Sequence, residues 1–428
     1  MERILIAPWG LPKGWKEVNY IIEGHEESSR SSLKPLVSRL HPNRVILVVV
    51  DTAIGEEFED YEDLCRKVEE YYKKFCEEIQ LPLTPEVIVA PGVGDFEKAK
   101  FEGEMTDFYH FVSFELAKRL ISAKGELDLI LDLTHGMNFA PTLLYRSLHE
   151  LLGVLAYTRK VQFRVYNSEP YLRGVSESHR EEVKTLRIHL VESREVQPRL
   201  SAHLLGEEDG RAYLVKHVRK PTKRGNVEAV RIEEKETKEL NAFLSSIVNG
   251  LPLALLTFYP GKELEEKLKE ACDLWRRSIK CLKDGKMVVR RGMRFTADFM
   301  RCVRLWVAAR SFGLERKEEA SLKELEELSE RFKSEGMKEA LVSRTLTGLK
   351  NRLGSKERVK EWIPLSELME GKSGGFSPQN FLAHAGLEYN VTEVRISGGV
   401  RLRYPKSQRR EVLEACRQGL FKPQRRAG

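Results

Sequence analysis

Through its first 190 residues the chain alternates short apolar runs with longer stretches whose apolar residues recur every three or four positions. The runs predict strands over residues 3–7, 44–50, 86–90, 127–133, 161–166 and 186–190. The stretches between predict helices over 29–40, 61–78, 107–123 and 141–156. Strand, helix, strand at this spacing means right-handed crossovers and an open, mostly parallel, Rossmann-like sheet covered on both faces. The run 127–133 is too short for a membrane span and suits a buried parallel strand. It breaks at Thr134-His135-Gly136, then restarts with Leu144, Leu148, Leu151, Leu152 and Leu155 on one helical face.

Ligands of such sheets sit beyond the carboxyl ends of the strands, at a switch point. The loops there carry Gly turns, hydroxyls and amides. The first runs Pro8-Trp9-Gly10-Leu11-Pro12-Lys13-Gly14-Trp15, and its tryptophan faces suit stacking on a base. The others include Asp51–Gly55, Pro91-Gly92-Val93-Gly94, Thr134-His135-Gly136 with Asn138, and Asn167-Ser168-Glu169. A strand feeding a helix through a small polar turn favours an anion above it. Asp132, Thr134, His135 and Asn138 share one such connection. For any one of them alone an ordinary turn is an equal reading; four together favour a ligand site. A G-x-G-x-x-G dinucleotide fingerprint is missing, which disfavours a small-molecule NAD enzyme.

Residues 191–235 read as a long, polar, irregular connector containing VRKPTKRGN, with a small hairpin at 211–218. From residue 236 the pattern is helical, with helices over 235–251, 262–282, 296–312, 321–333 and 337–353. The Glu/Lys-rich stretch 315–338 reads as a solvated helix face. In GKSGGFSPQNFLAHAGLEYN, residues 371–390, Ser377 fits an N-cap and Pro378 the first helical position. This places Asn380 and His384 on one helical face. A helix N-terminus, an amide and an imidazole together suit a phosphodiester. A histidine packed against Leu387 is the plain alternative.

At 428 residues, two domains are expected; 41% hydrophobic and 32% charged residues describe a soluble globular chain. No membrane span or signal peptide is read, and six scattered cysteines without a C-x-x-C pair point away from zinc and disulfides, toward a reducing cytoplasm. No metal-ligand cluster is apparent. Nine Lys/Arg after residue 400 outnumber two glutamates by seven, the whole net charge of +7. Such a tail fits a polyanionic partner as well as a solvated terminus.

DLTHGMNFAPT, residues 132–142, resembles the D-x-T-H-G-x-N-x-M-P signature of the CARF sensor domain of CRISPR-associated type III accessory ribonucleases, with Ala140 where that family often has Met. APWGLPKGWKEVNY and VYNSEPY look like the same domain. QNFLAHAG resembles the R-N-x-x-x-H core of the HEPN ribonuclease domain. The resemblance covers essentially the whole chain. It implies an α/β sensor, a Rossmann-like mostly parallel CARF sheet over 1–192, a connector over 193–235, and an all-α, helical HEPN domain over 236–428.

The resemblance further implies a cytoplasmic homodimer without a membrane or a metal cofactor. Its allosteric activator would be a cyclic oligoadenylate, the four-membered ring favoured. That ring would meet Trp9, Gly10, Lys13, Trp15, Thr134, His135, Gly136, Asn138 and Asn167. Single-stranded RNA would be cut in a composite cleft, with His384 as acid/base and Asn380 orienting the phosphate, leaving a 2′,3′-cyclic phosphate. The sensor could also cleave its own activator. One departure stands out: an Arg usually precedes the His with four to six residues between, and here Ser377, Pro378 and Gln379 fill those places. Gln379 can donate hydrogen bonds but carries no charge. Lys372, Arg344 and Arg352 are candidates for the missing cation. Two readings stay open beside the nuclease: a ligand-responsive nucleic-acid-binding regulator, and a scaffold whose degenerate HEPN domain is inactive.

Overall fold

The computed structural model describes residues 1–53, 57–171, 185–218, 229–330, 332, 337–354, 356, 358–369 and 375–421. The first half runs β1 (Glu2–Trp9), β2 (Val18–Ile22), β3 (His25–Ser29), α1 (Leu33–Leu40), β4 (Arg44–Val50), α2 (Tyr61–Glu78), β5 (Glu86–Ala90), β6 (Gly94–Asp95), β7 (Ala99–Glu102), α3 (Thr106–Ile121), β8 (Leu127–Asp132), α4 (Ala140–Leu155), β9 (Val161–Ser168) and β10 (Thr185–Glu195). Eight of these strands form one sheet in the order β3-β2-β10-β9-β8-β1-β4-β5. Its centre, from β9 to β5, is parallel. Strand β10 is antiparallel to β9, and the β2–β3 hairpin closes that edge.

Alternation along β1 explains the two faces. Ile4 and Ile6 join the core under α3 and α4, while Leu5, Ala7 and Trp9 join the core under α1 and α2. With both faces covered, the strands read as continuous apolar runs, and all six predicted strands and four predicted helices of this half are present. The predicted helix 29–40 starts only at Leu33, because the serines before it make a turn. Ser31 N–H donates to Ser29 Oγ (3.1 Å) and Leu33 N–H to Ser31 Oγ (3.2 Å). The β2–β3 hairpin was not predicted. Its turn is Glu23-Gly24, both with positive φ (48° and 80°), the primed geometry that matches strand twist.

The second half runs β11 (Ala212–His217), β12 (Val230–Ile232), α5 (Glu234–Asn249), α6 (Pro252–Thr257), α7 (Glu263–Arg277), β13 (Ile279–Asp284), β14 (Lys286–Arg291), β15 (Met293–Phe295), α8 (Ala297–Phe312), β16 (Glu319–Ser321), α9 (Leu322–Ser329), α10 (Met337–Leu353), β17 (Val359–Pro364), α11 (Leu365–Leu368), α12 (Pro378–Ala383), β18 (Glu393–Ile396), β19 (Val400–Arg403) and α13 (Arg409–Leu420). It is a helical region that also carries strands the helical periodicity hid. The predicted helix 262–282 ends at Arg277, and Ile279 onward pairs as β13 with β14. The expected hairpin at 211–218 is instead one strand, β11, held between β12 and β15. Nor is 315–338 only a solvated helix face: it contains β16, and α9 buries Leu322, Leu325 and Leu328. Residues 219–228, most of VRKPTKRGN, lie outside the described residues.

The halves interlock through a sheet of order β13-β14-β7-β6, in which β14 runs parallel to β7. No helix among the described residues is long and apolar enough to cross a membrane.

Candidate functional site

The loops after β1, β8 and β9 converge. Gly10 N–H donates to the His135 carbonyl (2.8 Å), and Ser168 N–H donates to Thr134 Oγ1 (3.1 Å). A Cβ on Gly10 would sit 3.1 Å from Met137 Sδ, and one on Gly136 would sit 2.2 Å from Pro141 Cγ. Glycine is therefore required sterically at Gly136. Asn138 adopts φ 51°, a left-handed conformation that asparagine tolerates better than most residues.

The signature residues hold this turn together. Asp132 is fully buried and accepts from the Ser32 hydroxyl (2.7 Å) and from Thr134 N–H (3.0 Å). Burial pushes its carboxyl up, and hydrogen bonds from Thr134 and Ser32 pull it partly back. His135 Nε2 accepts from Ser32 N–H (3.1 Å), and its ring stacks on Trp15 at 3.9 Å. Burial drives the imidazole down to about 3, so it is neutral at pH 7. Gly136 N–H is spent on the Leu133 carbonyl (3.2 Å). Ser32 was missed from sequence, although a serine run ahead of a helix is a turn signal.

Two expectations need correction. Trp9 is 2% exposed and enclosed by Trp15, Tyr72 and Phe75, so it is core and presents no face to a base. The loops after β4 and β5 do not extend the crevice either. Arg291 of β14, itself buried, donates to Asp51 Oδ2 (2.5 Å) and to the Gly92 carbonyl (2.7 Å), while Gly92 N–H donates to Asp51 Oδ1 (2.8 Å). At Asp51 and Gly92 these loops are sealed by the second half of the chain, and residues 54–56 of the first lie outside the described residues. What remains exposed around the crevice is Leu11, Lys13, Met137, Asn138 and Asn167, with Trp15 half-buried beside them.

In the second half, α12 begins where the N-cap was expected, and the Ser377 side chain accepts from Asn380 N–H (3.3 Å). The helix is only six residues long, so its dipole adds little. Asn380 O accepts from His384 N–H (2.9 Å), which puts the amide and the imidazole one turn apart. The chain then reverses through Ala385 and Gly386, both at positive φ (51° and 81°), and Tyr404 Oη donates to the Gly386 carbonyl (2.7 Å). Behind α12 lies α13. A Cβ on Gly419 would meet Leu382 Cδ2 and Asn249 Nδ2 at 2.9 Å, so glycine there lets α12, α13 and α5 approach.

Gln379 and Asn380 are exposed and His384 is half-buried. Tyr389 stacks on His384 with ring centroids 5.9 Å apart, and Arg352 Nη1 donates to Tyr389 Oη (3.3 Å). Of the three candidate cations, Arg352 is thus joined to the histidine by one ring. Arg344 lies on the same helix and is exposed; Lys372 lies outside the described residues.

A parallel sheet with a convergent polar crevice, followed by a helical region bearing an Asn–His helix, defines a protein with a CARF domain and a HEPN domain. The model of the CARF domain of CRISPR system endoribonuclease Csx1 matches residues 4–170, and that of its HEPN domain matches residues 315–408. The CRISPR system endoribonuclease Csx1 of Methanocaldococcus jannaschii is 35% identical over 417 residues, covering 93% of this chain and 87% of that protein. The chain belongs to the Csx1 family of CRISPR system endoribonucleases.

Proposed function

We propose that this endoribonuclease is switched on by a cyclic oligoadenylate, the tetra-adenylate ring first among the candidates, bound across a two-fold homodimer of the 1–192 sensor. The observation that carries this reading is the convergence of three strand-end loops into one crevice with little acid at its rim. Lys13 supplies the cation for the ring phosphates, and Asn138 and Asn167 supply amides for adenine edges. Trp15, Thr134, His135, Gly10 and Gly136 set the shape of the crevice. The carboxylate on these loops, Glu169, accepts from Arg187 N–H (2.9 Å) and pairs with His189 (3.5 Å), and the exposed Lys13, Asn138 and Asn167 are left to meet phosphate.

Cutting takes place in the 236–428 part, beyond the 193–235 connector, in a cleft shared by the two copies. The RNA 2′-oxygen attacks its own phosphorus while the 5′-oxygen leaves. His384 moves the proton, Asn380 and Gln379 hold the phosphate oxygens, and Arg352 supplies the charge that Gln379 lacks. The product is a 2′,3′-cyclic phosphate and no metal is required. The same attack within a bound ring would let the sensor destroy its activator. The protein acts in the cytoplasm on single-stranded RNA.

Cleavage of a fluorescent RNA with cyclic tetra-adenylate, on wild type and His384→Ala, tests this function. Activator-dependent cutting that disappears in the variant supports it. Cutting that survives the substitution removes His384 from the mechanism. A ring incubated with wild type and recovered intact removes the self-limiting step.

A further inference from the structure

A second cavity, of about 500 Å3, lies between the halves, walled by α3, α4, the segment from Arg199 to His203, and α8. That volume falls in the ~300–1,000 Å3 range of small-molecule sites. Four guanidiniums line it, those of Arg146, Arg199, Arg301 and Arg304, together with His149 and His203. The carboxylate on the wall is Glu150. It accepts from Arg304 (3.1 Å), Arg146 (3.2 Å) and Tyr109 Oη (2.6 Å), so one negative charge serves two arginines. Arg301 is balanced by Asp298 (2.9 Å) and Glu207 (3.2 Å). Among the described residues the Arg199 guanidinium has no ion-pair partner, although its backbone is fixed. Its N–H donates to the Gly153 carbonyl (2.8 Å), and a Cβ on Gly153 would press to 3.0 Å from the Arg199 carbonyl oxygen.

We propose that this cavity is a second anion site, one that takes a compact polyphosphate such as a nucleoside triphosphate or inorganic triphosphate. The wall holds more guanidinium than carboxylate, and the surplus sits on fixed backbone. Arginine forks match phosphate oxygens in pairs. Burial, then the charges of Arg194 and Arg199, hold the His149 imidazole below its usual range, consistent with a positive local field. The volume suits a mononucleotide rather than a strand of RNA.

The cavity is also placed to communicate. Helix α4 starts at Ala140, just past the crevice turn, and Arg146 lies roughly 9 Å further along its axis. An anion gripping Arg146 and His149 on one side and Arg304 on the other would tie α4 to α8. This site is distinct from the crevice at Lys13 and from the Asn380–His384 helix.

Calorimetric titration of the full chain at low ionic strength tests the proposal, with inorganic triphosphate, ATP and adenosine as separate arms. Arg199→Glu is the informative variant, because Arg199 is exposed and its guanidinium has no ion-pair partner among the described residues. Lys13→Glu controls for binding in the crevice. The expected result is saturable binding of triphosphate and ATP but not of adenosine, weakened about tenfold or more in Arg199→Glu and unchanged in Lys13→Glu. Tighter binding of ATP than of inorganic triphosphate would assign the site to a nucleotide, and equal binding to the phosphates alone. No saturable binding by wild type, or binding lost in Lys13→Glu and kept in Arg199→Glu, overturns it.

Discussion

Arg291 and Asp51, 240 residues apart in sequence, form an ion pair with both side chains fully buried. Asp51 directly follows β4 of the parallel sheet, and Arg291 ends β14 of the second half. Burial raises the Asp51 carboxyl, and the guanidinium beside it counters that rise. Removing one partner of a buried pair leaves a charge without compensation, at a cost of about 3–5 kcal/mol. Arg291→Met should therefore lower the urea midpoint sharply, while the double variant Arg291→Met/Asp51→Leu should recover much of the loss. A single substitution that leaves the midpoint unchanged would show that the two halves are not held there.

The crevice turn depends on glycine at position 136. Gly136→Ala puts a methyl 2.2 Å from Pro141 Cγ, so α4 or the turn must shift. The expected cost is about 1–3 kcal/mol of stability. Affinity for the cyclic activator should fall further than for Thr142→Ala, an exposed control in the first turn of α4. Equal affinities in the two variants would place the ring elsewhere.

His135 makes a pH prediction. Its imidazole titrates at about 3 in the folded chain against an ordinary 6.5. Below pH 6.5 the unfolded chain takes up a proton that the folded chain refuses. The stabilising contribution of His135 is therefore full above 6.5 and is lost as pH falls toward 3. His110, lowered to about 4, acts in the same sense, while Asp107, pushed up to about 6 by burial, opposes it. The stability gap between wild type and His135→Gln isolates the one group. It should shrink on acidification below pH 6.5; a gap independent of pH contradicts the desolvated, neutral histidine.

Among the described residues, Tyr389 links Arg352 to His384. If it supplies the missing charge, Arg352→Ala should lower the cleavage rate about 10²-fold while activator affinity holds. Gln379→Arg should raise it. Unchanged cleavage in Arg352→Ala would leave Arg344 or Lys372 to carry the charge.

The parallel sheet was legible because both of its faces are covered: its central strands are uninterrupted apolar runs and its helices have clean periodicity. The strands that escaped are short and half-exposed. Their turn signals were there to be read, in Asp284-Gly285 between β13 and β14, where helical spacing on either side outweighed it, and in Gly398-Gly399 between β18 and β19, where the flanking runs are only four residues long. The crevice was legible as a location and less so in its roles. Asp132, Thr134 and His135 carry the recognisable pattern because they build the turn, whereas Lys13, Asn138 and Asn167 face solvent with no periodicity to mark them. Trp9 was misassigned because position in a loop after a strand does not show burial; its neighbours Tyr72 and Phe75 come from a helix more than sixty residues on. Tyr389 carried no signal beyond its place five residues after His384.

The central claim is that occupancy of the crevice controls chemistry at His384. The most direct measurement is the rate of single-stranded RNA cleavage in EDTA, with and without cyclic tetra-adenylate, for wild type, Lys13→Glu and His384→Ala. The account predicts cleavage by wild type that rises with the ring, a response in Lys13→Glu that needs more ring to reach the same rate, and none in His384→Ala. Cleavage that is indifferent to the ring and persists in His384→Ala would contradict it.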